Sequence, residues 1–182
     1  MGPAMRKFTL TAHVISSVGW LGAVVAFLAV SVTGLTSTDS QVVRSAYVTM
    51  ELIGWFVIVP MSLASLVTGL IQSLGSAWGL FRHYWVIFKL LIATLATAIL
   101  FLHMQPIGEL AQVAARTTLL PGELRELRVQ LIADAAAAVF VLIVATGLSI
   151  YKPRGLTPYG WRKQLEEKRS AGATSLQARP RA

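Results

Sequence analysis

The stretch Tyr84-Trp-Val-Ile-Phe-Lys-Leu-Leu-Ile-Ala-Thr-Leu-Ala-Thr-Ala-Ile-Leu-Phe-Leu-His-Met104 decides the fold. At 1.5 Å of rise per residue, about 20 mostly apolar residues cross the roughly 30 Å hydrocarbon core of a bilayer. This run is long enough and carries a single Lys. Phe8–Leu35, Tyr47–Ser73 and Leu131–Tyr151 read the same way. Of the 182 residues, 55% are hydrophobic and only 13% are charged, against roughly 25% charged in a soluble domain. The expected fold is an all-α integral membrane four-helix bundle, up-down-up-down, over residues 1–151. A basic tail, 152–182, follows it.

Basic residues set the orientation, because they are retained on the cytoplasmic side. If both termini share a side, that side holds Arg6, Lys7, Arg82 and the tail's eight Lys and Arg, which makes eleven. The other side holds four: Arg44, Arg116, Arg125 and Arg128. The expectation is a bacterial inner-membrane protein with both termini in the cytoplasm. The net charge of +8 then reflects a tail suited to anionic headgroups rather than nucleic acid. Arg6-Lys7 resemble the start of a signal peptide, but the apolar run continues past Leu28. A cleavable core is about 7–15 residues, so this reads as an uncleaved first span. The partners expected are lipid and a second copy or a membrane redox protein.

Asp39 or Ser40 is suited to cap the second helix, and Pro60 should kink it in mid-span. Gly75-Ser-Ala-Trp-Gly79 reads as a tight inner turn, flanked by Trp78, Tyr84 and Trp85 as an interfacial belt. Beyond the third span, Ile107, Leu110, Val113 and Ala114 recur at helical spacing, as do Leu124, Leu127 and Leu131. Leu120-Pro-Gly-Glu123 interrupts the two runs, which predicts an outer amphipathic hairpin over about 107–130. Pro158–Arg169 is suited to an interfacial helix, and Ser170–Ala182 has the composition of a disordered end. Gly19, Gly22, Ala26, Ser65, Gly69 and Gly147 are candidates for close helix contacts.

Ionisable groups at bilayer depth are expensive and tend to face a bundle interior. They fall into two layers. The inner one holds His13, Lys89 and possible company from His83; Ser17 and Trp20 share the face of His13. An inward imidazole suits a haem axial ligand, and it equally suits a hydrogen bond to another helix. Lys89 either serves that site as its catalytic residue or snorkels to the inner headgroups. The outer layer holds His103, Glu51 and Asp134 beside Met104. Such donors suit copper or another transition metal, a proton relay, or a plain interhelical hydrogen-bond cluster. Lys89 and His103 are fourteen residues apart, about 40° short of four turns and about 21 Å along the axis. They therefore share one stripe at opposite depths. No cysteine is present, which removes disulfides and thiolate ligands. His-Glu-x-x-His, phosphate-loop and dinucleotide patterns are also missing.

His13-Val-Ile-Ser-Ser-Val-Gly-Trp-Leu-Gly22 resembles the His-x6-Trp-x-Gly opening of a group of small bacterial membrane proteins. Trp85-Val-Ile-Phe-Lys89-Leu-Leu is similar to their Trp-x3-Lys-Leu stretch. The group includes the copper resistance D family, the HemJ-type protoporphyrinogen oxidases and a four-helix family of predicted integral membrane proteins, which is the nearest in overall look. The resemblance covers roughly residues 8–105; the polar outer hairpin departs from it. It implies that His13 and Lys89 are a haem-associated functional pair. The leading expectation is a redox-type membrane protein holding one b-type haem through His13, with Trp20 and His83 nearby. The alternatives are a copper-handling protein using the outer layer and a cofactor-free membrane subunit.

Overall fold

The computed structural model describes residues 2–75, 80–116, 124–151 and 155–177, with side chains to residue 170. Six α-helices follow in order: α1 (Pro3–Thr36), α2 (Ser40–Ile53), α3 (Val59–Gly75), α4 (Tyr84–Arg116), α5 (Arg125–Tyr151) and α6 (Pro158–Gln177). Among the described residues, four segments are long and apolar enough to cross a membrane: α1, the α2–α3 unit, α4 and α5. The expected links at 76–79 and 117–123, with Trp78 and Pro121, lie outside the described residues, as do Lys152, Arg154, Arg179 and Arg181.

Polarity is distributed as a lipid solvent demands. Leu102 is 72% exposed and Phe56 76%, whereas Ser31 and Ser62 are 1% and 0% exposed. The buried hydroxyls cost little because each donates to its own helix, Ser31 to Leu28 O and Ser62 to Val59 O, both at 2.8 Å. Backbone groups in hydrocarbon have no water to bond, so helices satisfy them internally.

Asp39 is the cap of α2: the Gln41 N–H donates to its Oδ1 at 2.8 Å. The kink expected at Pro60 takes the form of a π-helical turn, Gly54–Ile58, directly before it. There the Val59 N–H bonds Gly54 O, five residues back. Pro60 has no N–H and its ring presses on the carbonyl four residues earlier; the widened turn absorbs that conflict.

At 1.5 Å per residue, the 36 residues of Ser40–Gly75 reach about 54 Å, well beyond the hydrocarbon core. The surplus extends the bundle beyond that thickness. α4 runs unbroken through Pro106 to Arg116, and Ile107, Leu110 and Ala114 are buried where α4 packs on α2. The segment is amphipathic, with these residues turned inward and Val113 exposed; the turn of the expected hairpin lies outside the described residues.

Arg128, counted in the sequence only as one of four basic residues beyond the spans, is buried. It is 2% exposed. Its Nε donates to Tyr47 Oη at 2.6 Å and its Nη2 to Gly34 O at 2.5 Å, with the guanidinium 5.4 Å from the Tyr47 ring centroid. Gly34 makes room: a Cβ there would meet the Tyr47 ring at 3.0 Å. Three helices are thus clamped by one side chain.

On the other side, α6 is docked rather than loose, and it continues past Arg169 to Gln177. Thr157 caps it, accepting the Gly160 N–H at 3.0 Å and donating from Oγ1 to Phe81 O. The Thr157 N–H bonds Arg82 O at 3.1 Å, the Tyr84 N–H bonds Gly155 O at 3.3 Å, and Arg82 pairs with Glu167 at 2.6 Å. A Cβ on Gly160 would lie 2.3 Å from Arg82 O, so only glycine allows this seat.

Tyr47→Phe removes an acceptor from a buried guanidinium. The expected loss is about 1.5–3 kcal/mol, the value of a hydrogen bond to a charged group. Thermal unfolding in detergent measures it; an unchanged midpoint would show that Arg128 does not depend on the phenol.

Candidate functional site

His13 projects from α1 between α3 and α4, because Gly69 leaves α3 without a side chain at that level. A Cβ on Gly69 would meet His13 Cε1 at 3.0 Å. His13 Nδ1 lies 3.1 Å from Ser65 O and 3.2 Å from Thr68 Oγ1. A carbonyl only accepts, and Thr68 spends its own proton on Ala64 O at 2.6 Å. Nδ1 is therefore the protonated nitrogen. Nε2 keeps its lone pair, and Lys89 Nζ sits 3.2 Å from it. The expected level match between His13 and Lys89 is a direct contact, and Lys89 points into the bundle. Ser17 adds a second tie to α3, its Oγ 2.8 Å from Ser65 Oγ.

This node opens on a cavity of about 340 Å³ lined by Leu10, Val14, Leu66, Trp85, Leu90 and Ser149 among others. The aromatic wall is Trp85. Trp20, expected beside His13, lines a different cavity: seven residues keep it on the same face but carry it about 10 Å along the axis. His83, also expected here, sits outside the cavity wall and belongs to the α6 dock, paired through its backbone with Leu156, its ring 6.3 Å from that of Trp85.

In the outer layer, His103 and Asp134 come together and the others do not. His103 Nδ1 lies 2.8 Å from Ile99 O, and Nε2 lies 2.9 Å from Asp134 Oδ2. That approach is close in distance but out of line, for Oδ2 is a buried oxygen without a hydrogen-bond donor. Glu51 turns to Gly108, whose Cβ would lie 3.4 Å from Glu51 Oε1. Met104 fills the space beside Gly54, 2.8 Å from where a Cβ would stand. Among the described residues no three His, Cys, Asp or Glu side chains gather as a metal site. Sequence depth placed these groups at one level, but their directions around the helices separate them. Both Met104 and Arg128 are absorbed by packing, and Arg128 gave no sequence signal beyond lying one residue after Leu127 on a helical repeat.

No protein-family model, curated protein or solved structure matches this chain.

Gly69→Val should crowd the His13 ring and lower stability by about 1–3 kcal/mol through overpacking. Gly22 and Gly147 meet nothing within 4 Å, contrary to the close contacts expected of them. Gly147→Ala should instead raise stability by up to about 1 kcal/mol through helix propensity. Thermal unfolding of the two variants decides; equal effects would contradict the contact at Gly69.

Proposed function

We propose that this is a multi-pass bacterial inner-membrane protein that holds one b-type haem at the His13–Lys89 layer, with His13 as an axial ligand. The observation that carries the reading is the fixed tautomer of His13. Ser65 O takes the Nδ1 proton and leaves Nε2 as a lone-pair donor inside an apolar bundle. A backbone or carboxylate acceptor on the far nitrogen is the usual support of a ligating histidine. The cavity beside it, about 340 Å³, falls in the roughly 300–1,000 Å³ range of small-molecule sites.

A haem would supply one-electron chemistry. The chain's own residues orient, exclude water and guard. Ser65 and Thr68 set the ring direction; Leu10, Val14, Leu66 and Trp85 keep water from the node. Lys89 covers the ligating atom, so its ammonium has to leave Nε2 when that atom takes another partner. The copper reading has no comparable support, since its donors are dispersed.

The bundle is up-down-up-down with both termini cytoplasmic. His13 near the start of α1 meets the end of α3 and the start of α4, and Gly34 near the end of α1 meets the starts of α2 and α5. These contacts support neighbouring spans that run in opposite directions. Eleven basic residues against four favour the side with the termini as cytoplasmic.

The purified protein from haem-replete cells should show a Soret band that His13→Ala removes. Lys89→Met should stay folded, because it relieves the span of a charge, yet alter the band. Lys89→Arg should do the same, because a guanidinium is bulkier and stays charged. A colourless wild-type protein overturns the haem reading. Separately, a reporter active only outside the cytoplasm should stay silent at either terminus; a signal from the C-terminal fusion would reverse the topology.

A further inference from the structure

The larger cavity, about 460 Å³, lies between α1, the π-helical turn, α4 and α5. Among the described residues, its ionisable lining residues are His103 and Asp134. The rest is hydrocarbon, with two buried aromatic rings, Trp20 at 4% and Phe27 at 5% exposure. Leu95 and Ile99, which also line it, are 52% and 51% exposed, so the cavity opens on the lipid-facing side of α4. What enters comes from the bilayer, not from water.

The polar end narrows the class of occupant. Asp134 Oδ2 is buried without a hydrogen-bond donor, even though His103 Nε2 is 2.9 Å away. A buried acceptor left without a donor costs about 1–3 kcal/mol, which a ligand hydroxyl relieves. An anionic lipid head would set a second negative charge against Asp134. A cationic one would lose its hydration in a cavity that is otherwise hydrocarbon. A neutral head with a hydroxyl to offer Asp134 suits this lining, and a flat ring packs on an aromatic wall such as Trp20.

We infer that this cavity binds the head ring of a lipid-soluble quinone or its quinol, with the quinol hydroxyl donating to Asp134 Oδ2. The quinone carbonyl accepts from His103 Nε2 when that nitrogen is protonated. The volume, within the roughly 300–1,000 Å³ of small-molecule sites, takes the ring and the start of its chain. The remainder of the chain leaves past Leu95 and Ile99 into lipid. Trp20 then stands against the ring, within reach of its quenching. The site is separate from the His13–Lys89 layer, so the outcome for haem does not bear on it.

The test titrates decylubiquinone into the full chain in phosphatidylcholine nanodiscs. The emission of Trp20 is taken as the difference between wild type and Trp20→Phe. Saturable quenching is expected. Asp134→Asn and His103→Gln, both close in shape to the originals, should each raise the half-saturating concentration at least tenfold. Ala138→Phe, which fills the cavity, should abolish saturation. Quenching that rises without saturation and equally in all variants would show partitioning alone and overturn the site. Decanol competing as well as the quinone on the wild-type protein would overturn the assignment of a ring. Read on the total tryptophan emission of the wild-type protein, that second arm needs no variant to fold.

Discussion

Inside a bilayer no water is available to a polar group, and this one constraint organises the molecule. Main-chain groups close their bonds within helices, and small hydroxyls such as Ser31 and Ser62 return to the carbonyls of their own turns. Larger polar side chains do this less readily, and His13, Lys89 and Arg128 reach partners on other helices. Those few interhelical contacts give the bundle its register, since hydrophobic packing between helices gains little when lipid is equally apolar.

α1 is the helix on which the register converges. Near its start, His13 joins α3 through Ser65 and Thr68 and α4 through Lys89. Near its end, Gly34 receives Arg128 of α5 while Tyr47 of α2 lies against it. The two nodes differ in kind. The inner one leaves a lone pair and a cation facing each other beside a cavity, an arrangement that can exchange partners. The outer one buries a guanidinium on a phenol and a carbonyl, which holds position and has little else to do.

The spans were legible because hydropathy over twenty residues is a strong signal, and the His13–Lys89 contact because depth alone sufficed to bring them together. Depth fails where direction matters. Glu51, Met104, His103 and Asp134 share a level, yet only the last pair meets, since Glu51 turns to Gly108 and Met104 to Gly54. Trp20 shares a face with His13 and still belongs to another cavity. Arg128 reads as an ordinary basic residue of the hairpin because its acceptors, a phenol and a main-chain oxygen, lie 81 and 94 residues away and leave no mark in local sequence. The π-helical turn was foreshadowed by Pro60, but its form depends on a ladder of carbonyls that composition does not describe.

The seat of α6 has a mechanical meaning. Thr157 and Gly155 are bonded to Arg82 and Tyr84, and Trp85 follows at once in the chain. The tail helix and the first turn of α4 are therefore tied together as the two arms of a lever. Its long arm carries Tyr159 and Trp161 outward at 57% and 58% exposure. Its short arm is the Trp85 wall of the inner cavity. A displacement of α6 would bear first on that wall and, one turn further, on Lys89.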